Sequence, residues 1–135
     1  MKKLVMRIQK QDNLNDVFII DEEPGNGGAY HNYLIVKQGA ATEDKEAGTV
    51  LLDPNDILLQ VGFQNGPRKV ADSTHGVLEG DLLEIVRNRL QCFQNGPFAT
   101  EDNANALRHI EEALMWLNKR QADRKERGVL GTNNQ

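Results

Sequence analysis

Three kinds of side chain in the last third of this sequence could together hold a nucleotide. The chemistry asks for an aromatic face to stack on a base, a carboxamide to read the base edge, and guanidinium forks for phosphates. Phe93, Asn103 and the pair Arg120 and Arg124 supply those types. The two arginines stand four residues apart, so on a helix they lie one turn from each other and both can reach a single diphosphate. Arg127 continues that face, and Trp116 begins it one turn earlier. Each residue also has an ordinary structural role open to it: a hairpin core aromatic for Phe93, an extra cap for Asn103, and a solvated helix end whose cations complement the macrodipole for the arginines. Catalysis has no comparable set. His31, His75 and His109 lack HExxH spacing, there is no G-x-S-x-G elbow, and Cys92 is the only cysteine. One cysteine permits no internal disulfide and no Cys-rich metal site, suits a reducing compartment, and is read as a packing residue. No catalytic residue, metal or cofactor is expected.

The binding residues need elements to position them, and the stretch from Phe93 to Thr132 provides most of these. Asn95-Gly96-Pro97 ends one helix. Thr100 then sits where an N-cap belongs, with Glu101 and Asp102 on the first turn and Asn103 as a weak reciprocal cap. Leu107, Ile110, Leu114 and Leu117 follow at alternating spacings of three and four, an apolar seam on a helix expected from Glu101 to about Lys125. Upstream, Leu78, Leu82, Ile85, Val86, Leu90 and Phe93 repeat at helical spacing after turn signals at Thr74 and Gly76. The two helices form an antiparallel hairpin in which the longer second helix overhangs the first, and the overhang carries the basic stripe.

The remainder reads as β-rich. Lys3 to Gln9 alternates, Val17 to Ile20 is β-branched and aromatic, and His31 to Lys37 has a Tyr-Leu-Ile-Val centre behind the loop Pro24-Gly25-Asn26-Gly27-Gly28. That loop lacks the Gly-Lys-Ser/Thr ending of a phosphate-binding loop and is read as a turn, with His31 as a polar strand end. Gln38 to Gly48 is small and charged and is expected to be a mobile loop. Val50 to Leu52 and Ile57 to Phe63 are further strands around the turn Asp53-Pro54-Asn55-Asp56, and connections this short make the sheet antiparallel. FQNGP occurs twice, at Phe63 to Pro67 and Phe93 to Pro97, and is read as two equal turns, since the flanks differ. The fold class is therefore α+β, one domain over 1–135: a β-rich part over 1–72, the helical hairpin over 73–127 and a tail over 128–135.

A formal charge of −4 excludes a general nucleic-acid coat. The charge is uneven, because Asn118 to Arg127 carries five basic residues against two acidic, net +3, leaving −7 elsewhere. Nowhere do eighteen apolar residues occur together, so neither a membrane span nor a signal peptide is expected.

The run FQNGPFATEDNANAL, with ALMWLNKR and RGVLGT after it, resembles the helical hairpin of the phage anti-Thoeris signal sponges, a hairpin shared with the anti-CBASS cyclic-nucleotide sponges. GNGGAYHNYLIV and the earlier FQNGP resemble the β-rich amino-terminal part of the anti-Thoeris branch, so the likeness runs through most of the chain. The resemblance implies a non-cleaving sponge for cyclic ADP-ribose-type signals, with cyclic di- or trinucleotides as a second ligand class. It implies a homodimer or a trimer of dimers acting in the host cell cytoplasm. By the same resemblance Phe93 and Asn103 match base-contacting positions, Arg120 and Arg124 a phosphate-contacting pair, Arg68 a third cationic position, and Gly131 and Thr132 a second pocket. The chain departs from the pattern at Thr100 and Glu101, where relatives often carry Cys and Arg, and Glu101 puts a carboxylate where a phosphate contact would stand. Two other classes compete: a structural phage assembly protein that uses the seam only to oligomerise, and a small nucleic-acid-binding regulator that uses the basic helix end.

Overall fold

The computed structural model describes residues 1–10 and 15–128. The chain divides into two compact units, residues 1–65 and 66–135. The first is an antiparallel sheet of four strands in the order β1 (Lys2–Lys3), β2 (Asn15–Ile19), β3 (Asn32–Lys37) and β6 (Ile57–Gly62). A separate two-stranded hairpin joins β4 (Thr42–Asp44) to β5 (Thr49–Leu51). Alternation places Leu34 and Val36 of β3 on the inner face, where they meet Phe18 to make the small core, with Ile20, Leu52 and Ile57 packed around it.

The β2–β3 connection is tied by one carboxylate. Asp21 accepts from the backbone N–H of His31 and Asn32 and from the Asn32 carboxamide at 2.6 Å. The Asn32 side chain first, then the His31 N–H, hold the Asp21 carboxyl below its usual range. Asp16 is buried on β2 and accepts from Gly39 N–H at 2.9 Å, which lowers its pKa despite burial; Lys3, at 3.2 Å, adds to the lowering. His31 is not the solvated strand end expected from its position. It is buried, its Nδ1 has no hydrogen-bond partner, and the ring lies so close to Gly25 that a Cβ there would stand 2.9 Å from Nδ1.

Two other expectations for this half are corrected. The alternating Lys3 to Gln9 run leaves the sheet after Leu4 N–H donates to Val17, and Val5, Met6 and Ile8 are exposed. Alternation alone cannot make a strand where no ladder partner continues. Gln38 to Gly48, expected as a loop, contains β4 and the turn to β5. Asp44 Oδ1 accepts from Glu46 and Ala47 N–H, and Gly48 takes φ +65°, so turn chemistry sets a hairpin whose strands carry few apolar residues.

The second unit is the helical hairpin, α1 (Glu79–Gln94) and α2 (Glu101–Glu126). Leu78 N–H donates to the Asp81 carboxylate to begin α1, and Thr100 Oγ1 accepts from Asn103 N–H at 3.0 Å to begin α2. Arg87 Nε bridges the helices to Glu111 at 2.9 Å, and this hydrogen bond raises the arginine's pKa further. Leu114 is buried over Gly80 at the start of α1, while Leu107, Ile110 and Leu117 are half-buried. No residue of α1 is buried, and Ile85, Val86, Met115 and Trp116 are exposed. A two-helix hairpin with one buried side chain has not completed its own core.

Candidate functional site

The α1–α2 turn gathers the aromatic and amide groups. Phe93 is half-buried on the last turn of α1, and its ring meets that of Phe98 edge-on, with centroids 6.4 Å apart. Phe98 itself is exposed. Asn103 donates its carboxamide N–H to the Phe98 carbonyl at 3.2 Å, so Asn103 both follows the N-cap and ties down the aromatic loop. Gln94 does more than the sequence pattern foresees: its side chain accepts from Thr100 N–H and donates to Thr100 carbonyl, each at 3.1 Å, closing the turn with two bonds.

The two FQNGP copies are not equal turns. Gly66 takes φ +92°, whereas Gly96 is not in the left-handed region and Asn95 sits at φ −91° as the α1 C-cap. The first copy leaves a strand and the second closes a helix, so the same residues settle into different geometry.

Arg120 and Arg124 lie on the part of α2 that extends beyond α1, as the hairpin lengths imply. With Trp116, Lys119, Asp123 and Arg127 they line an open depression of about 370 Å³. Five belong to α2 and Arg127 is its C-cap, so this is a basic face with a tryptophan at one end and not an enclosed cavity. Lys119 is bridged to Asp123 at 2.7 Å, so its charge is met on the helix itself. Arg120 is exposed and Arg124 half-buried.

Phe93 and Asn103 thus both reach Phe98, and Arg120 and Arg124 share one helix face, but the two pairs stand apart. Asn103 and Arg120 are seventeen residues apart on one continuous helix. At 1.5 Å per residue that is about 26 Å, more than arginine side chains leaning back along the helix can bridge to a compact ligand. Arg68 is exposed on the segment that leads to α1. Gly131 and Thr132 lie outside the described residues. Among the described residues no group of His, Cys, Asp and Glu is placed to hold a metal ion, and no helix is long and apolar enough to cross a membrane. Cys92 is exposed and not packed inside as its apolar neighbours led one to expect.

Comparison with known proteins falls on these same elements. Residues 55–122, from the last strand into the basic face of α2 and ending before Arg124, match the family described as the hairpin domain of Acb2/Tad1. The chain is also 38% identical over 125 residues to the protein named Thoeris anti-defense 1 from Bacillus phage SBSphiJ7, covering 86% of this chain and 87% of that one.

Proposed function

This chain belongs to the Acb2/Tad1 hairpin family of phage anti-Thoeris anti-defence proteins, and on that premise we propose that it binds cyclic ADP-ribose-type signalling nucleotides and holds them uncleaved in the infected host cell. The observation that carries the reading is the division of one binding chemistry between two ends of α2: stacking and amide groups at Phe93 and Asn103, paired guanidinium groups at Arg120 and Arg124.

One chain cannot close that distance, and two can. When the α2 helices of two copies run antiparallel, the turn of each meets the basic overhang of the other, and both ends acquire a complete set. The uncovered apolar groups Ile85, Val86, Met115 and Trp116 supply contact area for such a pair. A homodimer is then the smallest complete unit, and a trimer of dimers repeats it. Arg68 is assigned as a further cation of the site. Cyclic di- and trinucleotides are a second ligand class for the tail that holds Gly131 and Thr132.

The described side chains gathered at the two ends of α2, Phe93 and Asn103 at one and Trp116, Arg120 and Arg124 at the other, are stacking, amide and cationic groups, which suit holding a nucleotide. A thermal-shift panel of nucleotides tests the reading. A binder gains RT ln(1 + [L]/Kd), about 2.7 kcal/mol at one hundred times Kd, and melts several degrees higher. A protein that uses the hairpin only for assembly gains nothing from any nucleotide.

A further inference from the structure

Between residues 79 and 107 the chain carries five carboxylates, Glu79, Asp81, Glu84, Glu101 and Asp102, and two cations, Arg87 and Arg89. Arg87 is committed: it hydrogen-bonds Glu111 at 2.9 Å and stands 3.5 Å from Glu84. Arg89 is different. Among the described residues it joins no ion pair; its guanidinium lies over the Phe93 ring, 5.5 Å from the centroid, and the side chain is exposed. The spacing explains the contact, because a helical side chain leans toward the helix start and so Phe93 comes under the residue four before it.

We propose that Arg89 is a further guanidinium of the signal site, in addition to Arg68, Arg120 and Arg124, which leaves the Phe93 ring for a phosphate of the ligand when a base stacks there. The proposal rests on the nucleotide-binding reading given above. Its physical basis is an exchange of contacts. An exposed cation–π contact is weak, and a charge-assisted hydrogen bond from a guanidinium to a phosphate oxygen is stronger and directional. The local charge favours such a cation. Glu101 and Asp102 place two carboxylates on the first turn of α2, beside the aromatic loop, and would repel an anionic ligand approaching Phe93. Arg87 cannot answer this without breaking its bridge to Glu111. Arg89 can, and it arrives from the same chain as Phe93, whereas Arg120 and Arg124 come from the other copy.

The test is calorimetric titration of a glycocyclic ADP-ribose into the full chain, as wild type, Arg89→Gln, Arg89→Lys and Phe93→Ala, at low and at high ionic strength. Arg89→Gln is expected to weaken binding about tenfold at low salt, with the deficit narrowing at high salt because a charge contact is screened, and Arg89→Lys is expected to recover part of it. Wild-type affinity in Arg89→Gln, with binding lost in Phe93→Ala, overturns this proposal alone. An equal deficit at both salt levels with no recovery by lysine also overturns it, since Arg89 then only orients the ring. If the wild type itself takes up no ligand, the nucleotide-binding reading falls and Arg89 with it.

Discussion

If each site takes its aromatic and amide groups from one copy and its arginine pair from the other, two inactive variants should repair each other. Phe93→Ala removes the stacking face, and Arg124→Ala removes half of the phosphate fork; each alone should bind little ligand. Along one α2, Asn103 and Arg120 are seventeen residues apart, about 26 Å by helix rise, a length that no side-chain movement recovers. In a mixed dimer one site unites the two substitutions and the other contains neither. With random pairing half of the dimers are mixed, so about a quarter of the wild-type binding capacity should return when the two chains are co-expressed in equal amounts. Equilibrium dialysis against a labelled glycocyclic ADP-ribose reads that capacity directly. The capacity that returns should have wild-type affinity, because the repaired sites are unaltered. No recovery, with mixed dimers demonstrated by mass spectrometry, would refute the antiparallel division and place the whole site within one chain.

Three further outcomes are expected. Arg124→Lys keeps the charge and loses the planar fork, and should cost about 1.5 to 3 kcal/mol of ligand affinity by calorimetry if a charge-assisted bond is lost; unchanged affinity removes Arg124 from the site. Gly25→Ala places a methyl 2.9 Å from His31 Nδ1 and 3.3 Å from the Asn65 carboxamide, and should lower the stability of the sheet unit by about 1 to 3 kcal/mol, as overpacking of a buried ring does; a denaturant melt equal to wild type would show that the ring moves aside freely. Asp16 and Asp21 titrate below the ordinary 3.8 when folded. The unfolded chain therefore takes up their protons at higher pH than the folded one does, so their contribution is fully present above about pH 4 and is lost as pH falls through the folded values. A melting temperature that stays flat on acidification through that window would contradict it.

The helical half was legible because its signals are local. Thr100 caps α2 with its own hydroxyl, the acids follow at once, and the 26-residue helix needs only its seam and the end of that seam to be read. The overhang follows from comparing two lengths. The placement of Phe93 and Asn103 at one turn, and of Arg120 and Arg124 on one face, comes from the same local rules. The sheet was less legible because strand identity depends on a partner. Lys3 to Gln9 alternates as a strand should, yet only Lys2–Lys3 finds a ladder on β2. Thr42–Asp44 lacks apolar alternation, yet pairs with Thr49–Leu51 around an aspartate-tied turn. Gln94, Arg89 and His31 were missed for a related reason. A Gln that bonds the backbone six residues on, an Arg over a ring and a His buried over Gly25 are contacts between side chains and a folded surface, with no spacing rule to announce them. The i, i+4 spacing of Arg89 and Phe93 was the one signal available, and the pattern of apolar positions drew attention away from it.

Sequestration without turnover is decided most directly by recovering the ligand. The protein is incubated with a molar excess of a glycocyclic ADP-ribose for many turnovers of an ordinary hydrolase, freed of unbound nucleotide, heat-denatured, and the released material separated by chromatography. The expected result is the starting compound, intact, at one molecule per site and two sites per dimer. Linear ADP-ribose or any smaller product accumulating with time, or a protein that emerges carrying no nucleotide, would contradict it.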